Sequence, residues 1–169
     1  MEVRDALLAR RSVRKFTDEA VSDADISELL HAAMSGPSAC NARPWEFCVI
    51  TAPQILAELR HTGRYTDMEA PLAIVVCGNR ERFLPGEMGS YWIQDGCAAT
   101  ENILLRAVDL GLGAVWCGVC PKSDAMARCA AALSLPENLL PLNLILIGHP
   151  AQFPEPRDQY EEQFVHYLR

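Results

Sequence analysis

The stretch from Tyr91 to Leu110 limits what this chain can fold into more than any other. Ala98, Ala99, Ile103, Leu104, Leu105, Ala107 and Val108 make it a long helix that is apolar on more than one side, and Gly111 closes it. Such a helix has to be covered around most of its circumference. A chain of 169 residues, 50% of them hydrophobic, can do this with one core and has no room for a second ordinary domain. A sheet is the expected cover on one side, and a second copy of the chain is a candidate for the other.

The sheet is legible in several short runs. Pro71-Leu72-Ala73-Ile74-Val75-Val76-Cys77-Gly78 is continuously apolar and suits a buried central strand, as does Leu142 to Ile147 within the run 139–148. Strands are expected at 46–51, 71–78, 113–117 and 141–148. Helices are expected between and before them. The first covers residues 3–9, with Val3, Ala6 and Leu7 on its apolar side. The second opens on Ser22 as N-cap, with Asp23 and Asp25 in its first turn. It carries Ile26, Leu29, Leu30, Ala33 and Met34 inward and ends at Gly36-Pro37. A short helix follows Pro53, and another covers 123–133 with Met126, Ala130 and Leu133 inward. The class is α/β in composition: one domain over residues 1–169, with a mixed central sheet flanked by helices.

Charge isolates one place on this chain. Against a formal net charge of −7, Arg10, Arg11, Arg14 and Lys15 fall within six residues, interleaved with Ser12, Val13 and Phe16. The alternation suggests an extended segment with one buried face and one cationic face. Guanidinium forks and a serine hydroxyl suit a phosphate. A single basic spot on an acidic chain argues against nucleic acid or anionic lipid as partner, since either needs extended positive potential. No run approaches a membrane span, and Met1-Glu2-Val3-Arg4-Asp5 is charged where a signal peptide turns hydrophobic, so a cytoplasmic location is expected. The seven cysteines are odd in number and several lie in apolar runs, where they read as small buried hydrophobes.

Two further stretches have chemical promise. Gly36 to Phe47, bracketed by Pro37 and Pro44 and anchored by Trp45 and Phe47, reads as an ordered loop. In Gly111-Leu112-Gly113-Ala114-Val115-Trp116-Cys117-Gly118, the glycines let backbone approach a flat ligand and offer its N–H groups as donors. Cys117-x-x-Cys120 also admits a thiol-redox or metal reading, although no second cysteine pair with matching spacing exists. Residues 79–90 form the longest irregular stretch, with Phe83, Leu84 and Met88 as candidate lid residues.

Taken together, five stretches in order resemble the nitroreductase family of FMN-dependent oxidoreductases. They are Arg10-Arg11-Ser12-x-Arg14-x-Phe16, Pro37-Ser38-x-x-Asn41-x-x-Pro44-Trp45-x-Phe47, the helix from Gln94 to Leu105, Gly111-Leu112-Gly113-x-x-Trp116-x-Gly118, and Ile147-Gly148-x-Pro150. The resemblance spans nearly the whole chain and implies a compact homodimeric member of the α+β nitroreductase fold. It implies that Arg10, Arg11, Ser12 and Arg14 hold FMN phosphate and ribityl. It also implies that Pro37, Ser38, Ala39 and Asn41 contact the flavin of the partner subunit, and that Trp116, Cys117 and Gly118 pass over the isoalloxazine with a backbone amide toward N5. The tail, about 150–169, would reach over the partner, with Arg157 on the phosphate. Two positions depart from the family pattern: Arg43 stands where Gln is usual, and Gln159 where a second basic residue is usual.

The expected activity follows from that cofactor. NADH or NADPH reduces FMN and leaves, and an oxidised small molecule such as a nitroaromatic, quinone or enone takes its place. No side-chain nucleophile and no metal are required. The rivals are a flavin-binding protein without turnover and a thiol or metal protein built on Cys117 and Cys120.

Overall fold

Helix α4 (Tyr91–Asp109) lies across one face of a four-stranded sheet, and the rest of the chain is arranged around that contact. The computed structural model describes residues 1–169. Before α4 come α1 (Val3–Ala9), α2 (Asp23–Met34), β1 (Trp45–Ile50), α3 (Pro53–Leu59) and β2 (Leu72–Asn79). After it come β3 (Gly113–Gly118), α5 (Ser123–Ala132) and β4 (Leu139–Gly148). The strand order is β1-β2-β4-β3 and every neighbouring pair is antiparallel. The mixed character expected of the sheet is confined to its margin, where Ser12 makes a single parallel bridge to Ala114.

The sheet divides the core in two. Leu72, Ile74 and Val76 of β2, with Ile145 and Ile147 of β4, pack under α4 and α2 against Ile103, Ala107, Leu29 and Ala33. Ala73, Val75 and Cys77, with Leu144 and Leu146, pack on the opposite face against Leu59 of α3 and Ala125 and Cys129 of α5. Burial on both faces is why β2 and β4 read as continuous apolar runs rather than as alternation. Gly96 lets α4 come close: a Cβ there would stand 2.4 Å from Leu142 Cδ2. The register slips between Val76 and Cys77, which leaves Leu142 as a bulge opposite them. Its carbonyl then accepts from Val119 N–H at 3.2 Å and Cys120 N–H at 2.9 Å.

Several helix faces differ from expectation. In α1 only Ala6 is buried, while Val3 and Leu7 are exposed, and Met34 of α2 is 55% exposed. Alanine and cysteine decide α5: its buried residues are Ala125 and Cys129, one residue out of phase with Met126 and Ala130. The stretch after β2 is ordered into 3-10 turns at Arg80–Arg82 and Gly86–Ser90. Phe83 there is an anchor rather than a lid, stacked on Trp92 with ring centroids 5.2 Å apart. Leu84 is half-buried and Met88 exposed. Residues 151–169 are exposed throughout. No helix is long and apolar enough to cross a membrane.

Candidate active site

The basic segment is fastened to the free edge of β3. Val13 is buried and donates its N–H to the Ala114 carbonyl at 3.0 Å. The chain then turns away so that Thr17 N–H meets the His149 carbonyl at 2.9 Å. Between these two bonds Arg14 and Lys15 face solvent. Arg10 lies 3.5 Å from Glu101 of α4, and Arg11 donates to the Glu155 carbonyl of the tail. Burial pushes the Glu101 carboxyl up, and Arg10 opposes that shift. Arg14 forms no ion pair: its Nη1 is 3.5 Å from the Ser12 carbonyl. Arg157 joins this group from the far end of the chain, because its N–H donates to the Leu8 carbonyl at 3.0 Å.

Past Ala114 the edge of β3 is open. Val13 bonds Ala114 on one side, and Val119 bonds Leu142 of β4 on the other. Antiparallel alternation therefore directs the backbone groups of Trp116 and Gly118 toward the free edge and those of Cys117 toward β4. Within the expected Trp116-Cys117-Gly118 set, the amides available to a ligand are those of Trp116 and Gly118. A Cβ built on Gly118 would have nothing within 4 Å, so space stands beside an exposed backbone. Trp116 is half-buried against the α4 side of the core.

The two cysteines of the Cys117-x-x-Cys120 pattern project to opposite sides of the sheet. Cys117 packs toward α5 and Cys120 toward α4. Neither has thiolate character: burial pushes Cys117 up to about 11, against the opposing charge of Arg14, and raises Cys120 as well. No group of three or more potential metal ligands occurs.

Cys117 also reveals a neighbour that sequence reasoning passed over. Its Sγ donates to the Tyr65 carbonyl at 3.2 Å, which brings the 61–69 loop to the β3 edge. The loop is braced from within. Gly63 N–H donates to Thr66 Oγ1 at 3.0 Å, Arg60 pairs with Asp67 and Glu69, and Arg128 reaches the Thr62 carbonyl. It presents Arg64 over the ring of the exposed Tyr65, 5.4 Å from the centroid. The polarity of this loop was legible. Its approach to β3 was not, because the contact uses a carbonyl that any residue could supply.

Residues 37–43 form a separate structure at the other end of the sheet. Asn41 N–H donates to the Ser38 carbonyl at 3.0 Å, and Arg43 N–H to Ser38 Oγ at 3.0 Å. Ala39 N–H donates to Asp95 Oδ1 of α4 at 2.9 Å. Three non-glycine residues here hold positive φ: Cys40 at 51°, Asn41 at 52° and Arg43 at 46°. Such conformations cost about 1–3 kcal/mol each, least for Asn, and concentrate where a loop's shape is used. Pro37 and Asn41 are exposed, Ser38 and Ala39 half-buried. This loop feeds β1 at one edge of the sheet, whereas the basic segment lies on β3 at the other.

Unpaired cations beside a helix end, free amides on an open strand edge and a gap over Gly118 fit a flat ligand with an anionic tail. The Nitroreductase family pattern matches residues 7–66 and 60–149. A Methanothermobacter thermautotrophicus protein, named as a candidate NADH dehydrogenase/NAD(P)H nitroreductase, is 40% identical over 169 residues, covering 98% of this chain and 86% of its own. A crystal structure of a protein with the same name from Bacteroides thetaiotaomicron superposes with a TM-score of 0.91 at 38% identity, over 98% of this chain and 96% of that one. A candidate nitroreductase from Desulfovibrio desulfuricans, solved in complex with FMN, gives 0.85 at 32% identity, over 100% and 98%. The chain belongs to the nitroreductase family.

Proposed function

We propose that this protein is an FMN-dependent oxidoreductase that passes reducing equivalents from NADH or NADPH to a small oxidised acceptor, a nitroaromatic, quinone or enone, by a ping-pong route. The observation that carries the reading is the open β3 edge, where the Trp116 and Gly118 amides face a gap beside the unpaired Arg14. FMN, when bound, supplies the hydride chemistry. The chain's own residues bind, orient and polarise. Arg10, Arg11, Ser12, Arg14 and Arg157 hold phosphate and ribityl. The amides of Trp116 and Gly118 serve as donors for the ring. A cation of this segment near the ring would stabilise added electrons. Cys117 contributes shape and no thiol chemistry, which agrees with its buried, protonated side chain.

Each site is shared between two subunits in this reading. Support comes from the sheet, in which the 37–43 loop leads into β1 at one edge while the basic segment lies on β3 at the other. Further support comes from Tyr91 and Ile93 of α4 and Val3 and Leu7 of α1, apolar side chains that their own chain leaves exposed. The exposed tail, with Phe153, Tyr160, Phe164 and Tyr167 uncovered, reaches over the partner.

Steady-state kinetics test the proposal. Ping-pong exchange gives parallel double-reciprocal lines when NADPH or NADH is varied at several quinone concentrations. Stoichiometric FMN binding without turnover of either nucleotide would instead favour the flavin-binding rival.

A further inference from the structure

We infer that Asp95 is a positioning residue for the flavin site, and that it acts through Ala39 on the site whose basic segment belongs to the other subunit. The inference rests on the shared-site reading above. Asp95 is 7% exposed on α4, and its Oδ1 accepts the Ala39 N–H at 2.9 Å. Residues 37–43 make no other hydrogen bond to the rest of the chain. Their remaining bonds are internal: Asn41 N–H to the Ser38 carbonyl, Ala42 N–H to the Ala39 carbonyl and Arg43 N–H to Ser38 Oγ. All of these converge on the Ser38–Ala39 pair that Asp95 grips.

The chemistry of the grip is selective. The Asp95 oxygen acts here as an acceptor, so it holds the Ser38–Ala39 peptide with its N–H toward α4 and opposes a flip that would present the carbonyl. Without it, the left-handed residues Cys40, Asn41 and Arg43 lose the one polar tie that keeps their conformations fixed relative to α4. Asn41 and Ser38, the loop's polar flavin contacts, would then no longer be presented in one geometry.

The test is FMN titration of the apoprotein by flavin fluorescence, using Asp95→Ala and Asp95→Asn. Loss of the charge-assisted bond in Asp95→Ala should weaken FMN by about ten- to a hundred-fold. Asp95→Asn keeps an acceptor oxygen and should recover most of that loss. Wild-type affinity in Asp95→Ala, or an equal loss in Asp95→Asn, overturns the inference. A second readout separates positioning from general destabilisation: FMN bound per dimer, at limiting FMN, after mutants are unfolded and refolded together. Asp95→Ala mixed with Arg14→Ala should regain sites, because both lesions fall in one site and leave the other intact. Asp95→Ala mixed with Asn41→Ala should regain none. If Arg14→Ala and Asn41→Ala complement each other while Asp95→Ala is rescued by the Asn41 variant instead, Asp95 does not act through the loop. If Arg14→Ala and Asn41→Ala fail to complement in confirmed mixed dimers, the shared site falls, and the action across subunits falls with it.

Discussion

The Arg157 backbone N–H donates to the Leu8 carbonyl at 3.0 Å, so the start of the tail returns to the helix that delivers the basic segment. Two residues on, Gln159 carries no charge. The cations that the proposed site offers an anionic group are therefore Arg157 and the arginines at 10, 11 and 14, of which Arg10 alone forms an ion pair, with Glu101.

Arg14→Ala removes a charge-assisted contact of roughly 1.5–3 kcal/mol and should loosen FMN by about ten- to a hundred-fold. Riboflavin, which lacks the phosphate, should be nearly indifferent. Titration of both flavins into the same apoprotein checks this, and equal losses would contradict a phosphate role.

Gly118→Ala separates folding from binding. The added Cβ meets no protein atom within 4 Å, so the apoprotein should unfold within about 0.5 kcal/mol of wild type. The same methyl group would stand in the gap assigned to the ring, and FMN affinity should fall. Unchanged affinity would remove Gly118 from the site.

Cys117→Ala should keep FMN and most of the turnover, because a thiol with its pKa near 11 is protonated at neutral pH. Loss of turnover with FMN still bound would revive a thiol mechanism. The same shift has a stability consequence. The folded pKa lies above the ordinary value of 9.0, so the unfolded chain loses its proton first. Stability should fall between about pH 9 and 11, by about 1–2 kcal/mol from this thiol, with the contribution fully present below that window. Cys129, buried and pushed up to about 12, acts in the same direction. Denaturant titrations at pH 8 and 10.5 should show the loss in wild type and a smaller one in Cys117→Ala.

At an FMN concentration low enough that Arg14→Ala and Asn41→Ala are each inactive as homodimers, refolding the two together should recover roughly a quarter of wild-type activity. About half the dimers are then mixed, each with one intact site. Absence of recovery with mixed dimers confirmed by mass would rule out a site built from two chains.

The elements were legible in the sequence because apolar periodicity and caps act locally. Ser22 does accept from Asp25 N–H, and α4 and β2 lie where their apolar residues require. What periodicity does not specify is whether the chain's own surface covers a given face. Val3, Leu7 and Met34 have the spacing of core residues and remain exposed. In α5 the alanines occur on several sides, so side-chain size gave no phase and Cys129 decided it. The basic segment and the glycine run were found because charge and missing Cβ atoms are visible in a sequence. Cys117 lies within β3 and Cys120 in the turn after it, and Cys-x-x-Cys spacing alone does not show that they face opposite sides of the core. The grip of Asp95 on Ala39 joins residues 56 apart through one backbone amide, and nothing in the local sequence announces it.

The most direct measurement of the central claim is the absorbance of FMN-loaded protein mixed anaerobically with one equivalent of NADH or NADPH. The yellow flavin band should bleach and return when a quinone is added. A protein that holds FMN firmly yet keeps its colour with both nucleotides would contradict it.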